Sequence, residues 1–171
     1  MVKIELIHEA HLSSLASVAA DDRIAQTSGV PVNCSEDDVR QWMNTSLVPA
    51  STEMHYVLLV EGKPAGCCIL KKIDWQQREA ELSYWLGVEY WGKGLGSRAA
   101  WLMADAAFRI LGMQTLNAHY LKLANAPSGK ILHKLGFTPD KRRGDLKAEG
   151  RFLRESGDVW TFVALEREAF S

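Results

Sequence analysis

No apolar run in these 171 residues approaches the roughly 20 needed to cross a bilayer. The opening MVKIELIHEAH has neither a long apolar stretch nor a small-residue cleavage site, so no secretory leader is expected and the cytoplasm is the expected compartment. Cysteine is scarce. Cys34, Cys67 and Cys68 make an odd count, and the adjacent pair has neither zinc-ligand nor C-x-x-C spacing, so reduced thiols are expected, with no disulfide and no metal. An excess of one charge is also missing. With 20 Lys+Arg against 21 Asp+Glu, the chain lacks the basic surplus that attracts nucleic acid or an anionic membrane, and any anion binding must be local. No repeat, low-complexity tract or linker interrupts the order, and the length, with 47% hydrophobic residues, suits a single domain over 1–171.

What is present is a clear succession of patterns. Lys3 to Ile7 alternates polar and apolar residues as a strand does, and His8 to Ala20 places Leu12, Leu15 and Ala19 at helical spacing. After mixed signals around Gly29 and Pro31, Ser35 with Asp38 three residues on predicts a capped helix carrying Val39, Trp42 and Met43 on one face. From Met54, three apolar segments (HYVLLV, PAGCCILKKI and AELSYWLGV) are separated by turns at Glu61-Gly62-Lys63 and Asp74 to Gln77, an antiparallel meander. A glycine-rich stretch then leads into a helix with Leu95, Ala99, Leu102, Met103, Ala106 and Ile110 on its inner face. Thr115 to Leu121 reads as a strand, Pro127 opens a helix that stops at Gly136, and Val159 to Leu165 is apolar enough for a last strand buried on both faces. Asp140 to Arg154, rich in Lys, Arg and Gly, is expected to be exposed. The order predicts an α/β (α+β) mixed sheet with helices on both faces.

Gly92-Lys93-Gly94-Leu95-Gly96 sits at a strand-to-helix corner, where unpaired N–H groups and the positive end of the helix dipole suit a phosphate. Backbone N–H groups of Lys93 to Ser97 form a candidate cradle for a pyrophosphate, with Lys93 or Arg98 adding charge; the competing reading is that the glycines only allow close packing. A nucleoside-triphosphate loop would end in Gly-Lys-Ser/Thr, which is absent, and a dinucleotide fold would place the loop in its first β-α-β unit rather than after a meander.

The stretch AELSYWLGVEYWGKGLGSRA resembles the strand, loop and helix of the GNAT family of N-acetyltransferases, in the branch that acetylates ribosomal-protein N-termini. That family continues with a strand and an N-x-x-S helix ending in K-x-G-F, matched here by Asn125-Ala126-Pro127-Ser128 and Lys134-Leu135-Gly136-Phe137. The likeness is firmest from Tyr56 to Phe137; Trp91 stands where the family has Gln or Arg. The resemblance implies a sheet of six to seven strands flanked by about four helices and splayed between strands four and five. It also implies acetyl-CoA as co-substrate, without a metal, and a monomer or homodimer. Backbone of Leu86, Gly87 and Val88 is implied to hold the pantetheine arm, much as an added strand pairs with a sheet edge. The loop residues Lys93, Gly94, Leu95, Gly96 and Ser97 are implied to hold the pyrophosphate, and Asn125 a cofactor amide or, alternatively, a turn.

Acetyl transfer to an amine requires removal of a proton from the ammonium and delivery of one to the departing thiolate. Glu81 interrupts an apolar strand and occupies the acid of the family's A-E-x-x-Y-W pattern, which makes it the candidate base. A positioning or water-relay role, or a solvated strand face shared with Glu79, are the alternatives. Many relatives supply a tyrosine as the acid where this chain has Leu132, so Ser128 becomes the candidate, against a plain helix-start role. His119 and Tyr120, at a strand end, are expected to be structural. Cys67 and Cys68 face opposite sides of one strand, so one of them is expected to be buried, and direct transfer without an acyl-cysteine follows. Trp85, Trp91, Trp101 and Trp160 are expected to fill the core or wall the cleft. The expected acceptor is a primary amine on a peptide N-terminus, with a small amine such as a polyamine, amino sugar or antibiotic, or a non-catalytic acetyl-CoA-binding module, as alternatives.

Overall fold

A computed structural model describes residues 1–26, 28–148 and 157–171. Its strands are β1 (Val2–Leu6), β2 (Met54–Val60), β3 (Lys63–Asp74), β4 (Glu79–Leu86), β5 (Thr115–Leu121), β6 (Thr138–Pro139), β7 (Leu146–Lys147) and β8 (Val159–Glu166). Its helices are α1 (Leu12–Ala19), α2 (Asp22–Ala25), α3 (Glu36–Leu47), α4 (Leu95–Arg109) and α5 (Ala126–Leu135). They form one mixed sheet in the order β1-β2-β3-β4-β5-β8-β6, with β7 also on β8. The sheet exceeds the expected strand number because β6 and β7 are two-residue pairings that no sequence period can register. The added helix, α2, is a single turn capped by Asp21, whose side chain accepts from the Arg23 N–H.

Strand alternation divides the apolar residues between two faces. On one, Leu58, Cys68, Leu70, Leu82 and Leu116 meet Ala99, Met103 and Ala107 of α4 and Leu132 of α5. On the other, Val57, Cys67, Ile69 and Trp85 meet Leu12 and Leu15 of α1 and Val39 and Met43 of α3. Each fully buried leucine contributes about 1.5–3 kcal/mol relative to exposure. Both Cys67 and Cys68 are fully buried, not one of them, because helices cover both faces of β3. In the segment expected to be exposed, Asp140 and Ala148 are buried: Arg142 bonds the Asp140 carboxylate, and the Ala148 N–H donates to the Asp158 carbonyl. Residues 149 to 154 of that segment lie outside the described residues.

The feature that positions a site is the junction of β4 and β5. They pair in parallel only at Glu79↔Thr115, Ala80↔Leu116 and Glu81↔Asn117. Beyond that point β5 remains paired with β8 through Leu121↔Trp160, and β4 with β3 through Gly66↔Leu86, so the two halves of the sheet diverge. The far side of the gap is held by α5, which lies close to β5 because Gly129 has no side chain: a Cβ there would come within 2.6 Å of the Tyr120 ring.

Candidate active site

Two cavities occupy the gap. The larger, about 730 Å³, runs along Tyr84 to Leu86 and past Trp91 to the Gly92–Ser97 loop, with Ile131 of α5 opposite. The smaller, about 190 Å³, is walled by Lys71, Glu81, His119, Tyr120, Leu132 and Trp160 among others. Ser28, Tyr84, Asn125 and Ser128 line both, so the cavities meet beside these four residues.

The loop end of the larger cavity suits an anion. Gly94, at φ 75°, is the N-cap of α4, and no side chain caps the helix. The positive φ favours glycine, and the capless start leaves the first N–H groups of a 15-residue helix, with its dipole, unanswered by the chain. Gly94, Leu95, Gly96 and Ser97 line this cavity, as does Leu86. Lys93, Gly87 and Val88 do not. The Gly87 N–H donates to the Ala65 carbonyl at 2.7 Å, Val88 begins a 3-10 turn, and the Leu86 carbonyl accepts from Trp91 Nε1 at 2.9 Å. The edge of β4 left free by β5 runs over Leu82 to Leu86, so of the expected Leu86, Gly87 and Val88 only Leu86 lies on it. Trp91 walls the cavity at 44% exposure, and Trp85 is buried in the core.

In the smaller cavity, Glu81 is 4% exposed, which removes the solvated-face reading. Burial pushes its carboxyl up, but the hydrogen bond and charge of His119, with Lys72 and Lys71, bring it net below the usual range, so it stays a carboxylate. His119 Nδ1 lies 3.2 Å from Glu81 Oε1. Its ring meets Trp160 edge-on at 5.0 Å and Phe162 at 5.6 Å. His119 thus stands at ion-pair distance from Glu81 on the cavity wall, a contact the strand-end position alone did not suggest. Glu79, two residues earlier on the strand, lines neither cavity and lies 3.0 Å from Arg142.

Where the cavities meet, Tyr84 and Ser128 share a hydrogen bond of 3.1 Å. Burial raises the Tyr84 pKa, partly offset by Ser128, so the phenol keeps its proton at neutral pH. Sequence reasoning passed over Tyr84, although it is the tyrosine of the A-E-x-x-Y-W pattern. Leu132, the family's usual acid position, is 2% exposed in the core. A tyrosine hydroxyl is delivered from β4 instead of from α5. Ser128 uses its hydroxyl on Tyr84, not on capping its helix, and Asn125 makes no side-chain cap either. Asp158, fully buried, accepts from the N–H groups of Leu123, Ala124 and Val159 and ties the turn that carries Asn125 to β8. Tyr120 packs on Gly129, as a structural residue would.

A sheet split beside a capless helix, with a buried carboxylate next to an exposed imidazole and a phenol at the split, defines an acyl-transfer type of cleft. Residues 2–138 match the acetyltransferase (GNAT) domain family. The chain is 30% identical over 138 residues to an uncharacterized N-acetyltransferase, p20, of Bacillus licheniformis, covering 80% of this chain and 75% of that one. It is 36% identical over 90 residues to the spermidine N(1)-acetyltransferase of Escherichia coli K12, covering 51% of this chain and 46% of the relative. Its fold superposes on a spermidine N-acetyltransferase from Vibrio cholerae, solved with CoA and spermine. The TM-score is 0.83 at 17% identity, over 98% of this chain and 96% of that one. The chain belongs to the GNAT acetyltransferase family. Among the described residues no helix is long and apolar enough to cross a membrane.

Proposed function

We propose that the chain is a cytoplasmic, single-domain enzyme over 1–171 that transfers acetyl from acetyl-CoA to the primary amine of a peptide N-terminus, as in the ribosomal-protein branch its motifs resemble. The observation that carries the reading is the meeting of the two cavities at the Tyr84–Ser128 pair, with Glu81 and His119 in the smaller and the α4 N-terminus in the larger. The Gly94–Ser97 loop binds the diphosphate, and the open β4 edge with Asn125 orients the pantetheine amides. His119, held by Glu81, takes the ammonium proton directly or through a water. The free amine nitrogen then bonds to the thioester carbonyl carbon, the C–S bond breaks, Tyr84 gives its proton to the sulfur while Ser128 steadies the phenol, and the second proton shed by the new amide nitrogen restores the phenol through solvent. No acyl-cysteine is involved: burial pushes Cys68 up to about 12 and Cys34 to about 11, and neither lines a cavity.

A small-amine acceptor is the second reading, favoured by the likeness to spermidine N(1)-acetyltransferase. The acceptor cavity argues for the first, since among the described residues its single carboxylate, Glu81, shares the space with Lys71, a poor arrangement for a polycation. Purified protein assayed for thiol release from acetyl-CoA against pooled peptides and amines tests the proposal. Peptide-dependent release supports it, release with polyamines alone supports the second reading, and acetyl-CoA binding without release under any acceptor leaves only a binding module.

A further inference from the structure

Lys71 is the residue of the acceptor cavity that the chemistry above does not use. It stands directly across the β3–β4 ladder from Glu81, where opposite charges ordinarily pair. The pairing is not made. Among the described residues no carboxylate lies within 4.0 Å of Lys71 Nζ, and the ammonium instead reaches across the cavity to within 3.3 Å of where a Cβ on Gly29 would stand. The two carboxylates whose charges it feels are Glu81 and Glu53. Each is turned to a histidine: Glu81 to His119 at 3.2 Å, and Glu53 to His55 Nε2 at 2.8 Å. The backbone helps to hold this arrangement. Lys72 sits at φ 49° where the ladder slips between Lys71 and Asp74, so the two lysines do not alternate as regular strand residues would. Among the described residues this half-buried ammonium has no carboxylate at ion-pair distance, and a ligand carboxylate would supply one.

We propose that Lys71 selects the acceptor, pairing with a carboxylate that the acceptor carries near its reacting amine. The substrate class is then an amino-carboxylate, either a free amino acid or a peptide whose first residue is acidic, and polycationic amines are disfavoured. This rests on the acetyltransferase reading and names its substrate class. A charge-assisted hydrogen bond of this kind is worth about 10- to 100-fold in kcat/KM, carried mainly by KM.

The test measures thiol release for four matched pairs or sets: β-alanine against β-alaninamide, γ-aminobutyrate against putrescine, peptides beginning with Asp against Asn, and spermidine. Wild-type protein is compared with Lys71→Met and Lys71→Glu. The expected result is a carboxylate preference of at least about 10-fold in the wild type, collapse toward unity in Lys71→Met through a raised KM, and reversal toward putrescine in Lys71→Glu. Preference within the free amino acids or within the acidic peptides tells the two sources apart. Equal ratios in wild type and Lys71→Met, or a wild-type preference for putrescine or spermidine, would overturn the proposal. If no acceptor turns over, the acetyltransferase reading fails separately, and calorimetric binding of β-alanine against its amide to the CoA-loaded protein decides the Lys71 question: binding of the acid that Lys71→Met abolishes supports it, and equal binding rejects it. Melting curves of both variants confirm that each is folded, since among the described residues the Lys71 side chain makes no ion pair to lose.

Discussion

Tyr84→Phe removes one oxygen from the point where the two cavities meet and leaves the ring in place. Two effects follow with different sizes. The lost hydrogen bond to Ser128, 3.1 Å and half-buried, is worth about 1 kcal/mol of stability, or a few degrees in melting temperature for a domain of this size. If the phenol protonates the departing thiolate, kcat falls by about 10²-fold, the lower end for a general acid, because a thiol is a tolerable leaving group. Acetyl-CoA affinity should hardly change, since the proposed cofactor contacts are the loop, the β4 backbone and Asn125 rather than the phenol oxygen. The pH profile adds a second reading. Burial raises the Tyr84 pKa above 10, so the donor form persists through neutral and mildly alkaline pH and the wild-type rate should lose this acid only above that value. Steady-state thiol release between about pH 6 and 10, with melting curves of the same preparations, measures both effects. A kcat within about threefold of wild type, with the melting temperature lowered as calculated, would refute the catalytic assignment and make Tyr84 a structural partner of Ser128. Ser128→Ala is the companion: with Tyr84 as the acid it should cost less than Tyr84→Phe, and the reverse order would return the acid role to Ser128.

Glu81→Gln should lower turnover most below the acceptor amine's pKa, where the substrate arrives protonated, and His119→Gln should do the same; a double variant no worse than either single one identifies them as one unit, while additive losses break the pair apart. Gly94→Val places a β-branched residue at φ 75° in open space, so the fold should survive at a cost of about 1–2 kcal/mol while thermal protection by acetyl-CoA is lost; undiminished protection would sink the loop assignment. Away from the cleft, burial pushes the His11 imidazole below its usual range despite its 2.7 Å contact with Glu5, and the His11 hydrogen bond holds the Glu5 carboxyl low against burial, with His8 adding to it. Both groups therefore bind fewer protons folded than unfolded, so stability is full above about pH 6.5, the unfolded imidazole value, and declines as pH falls. The decline between about pH 7 and 5 belongs to His11, because carboxylates are still ionised there, and a melting temperature that is flat over this window, or equally sloped in His11→Gln, would contradict the assignment.

Local chemistry read along the chain was enough for most of the elements. The Ser35–Asp38 cap, the Thr115 to Leu121 strand and the α5 boundaries at Pro127 and Gly136 depend on contacts between near neighbours, and each appears where the spacing put it. The glycine loop likewise sits at the β4-to-α4 corner where the spacing put it, with Gly94 as the helix N-cap. The two-residue strands and the burial of Asp140 were illegible because they depend on partners far along the chain: β8 for the strands, and Phe162 on β8, whose carbonyl accepts from the Asp140 N–H. The acceptor end of the cleft was decided by tertiary structure. Glu81 and Tyr84 are three residues apart on one strand, so the alternation of side chains sends them to opposite faces, which is why pattern reading kept the acid and passed over the phenol. In a continuous sheet they would never serve one reaction. Because β5 leaves β4 after Glu81↔Asn117, the cleft passes through the sheet itself. His119, Asn125 and Ser128 then come to it from beyond the gap, as far as 47 positions along the chain from Glu81, by the arithmetic of 128 minus 81. Sequence determines which polar groups the strand and helices carry; the divergence of two strands determines that they line one cleft.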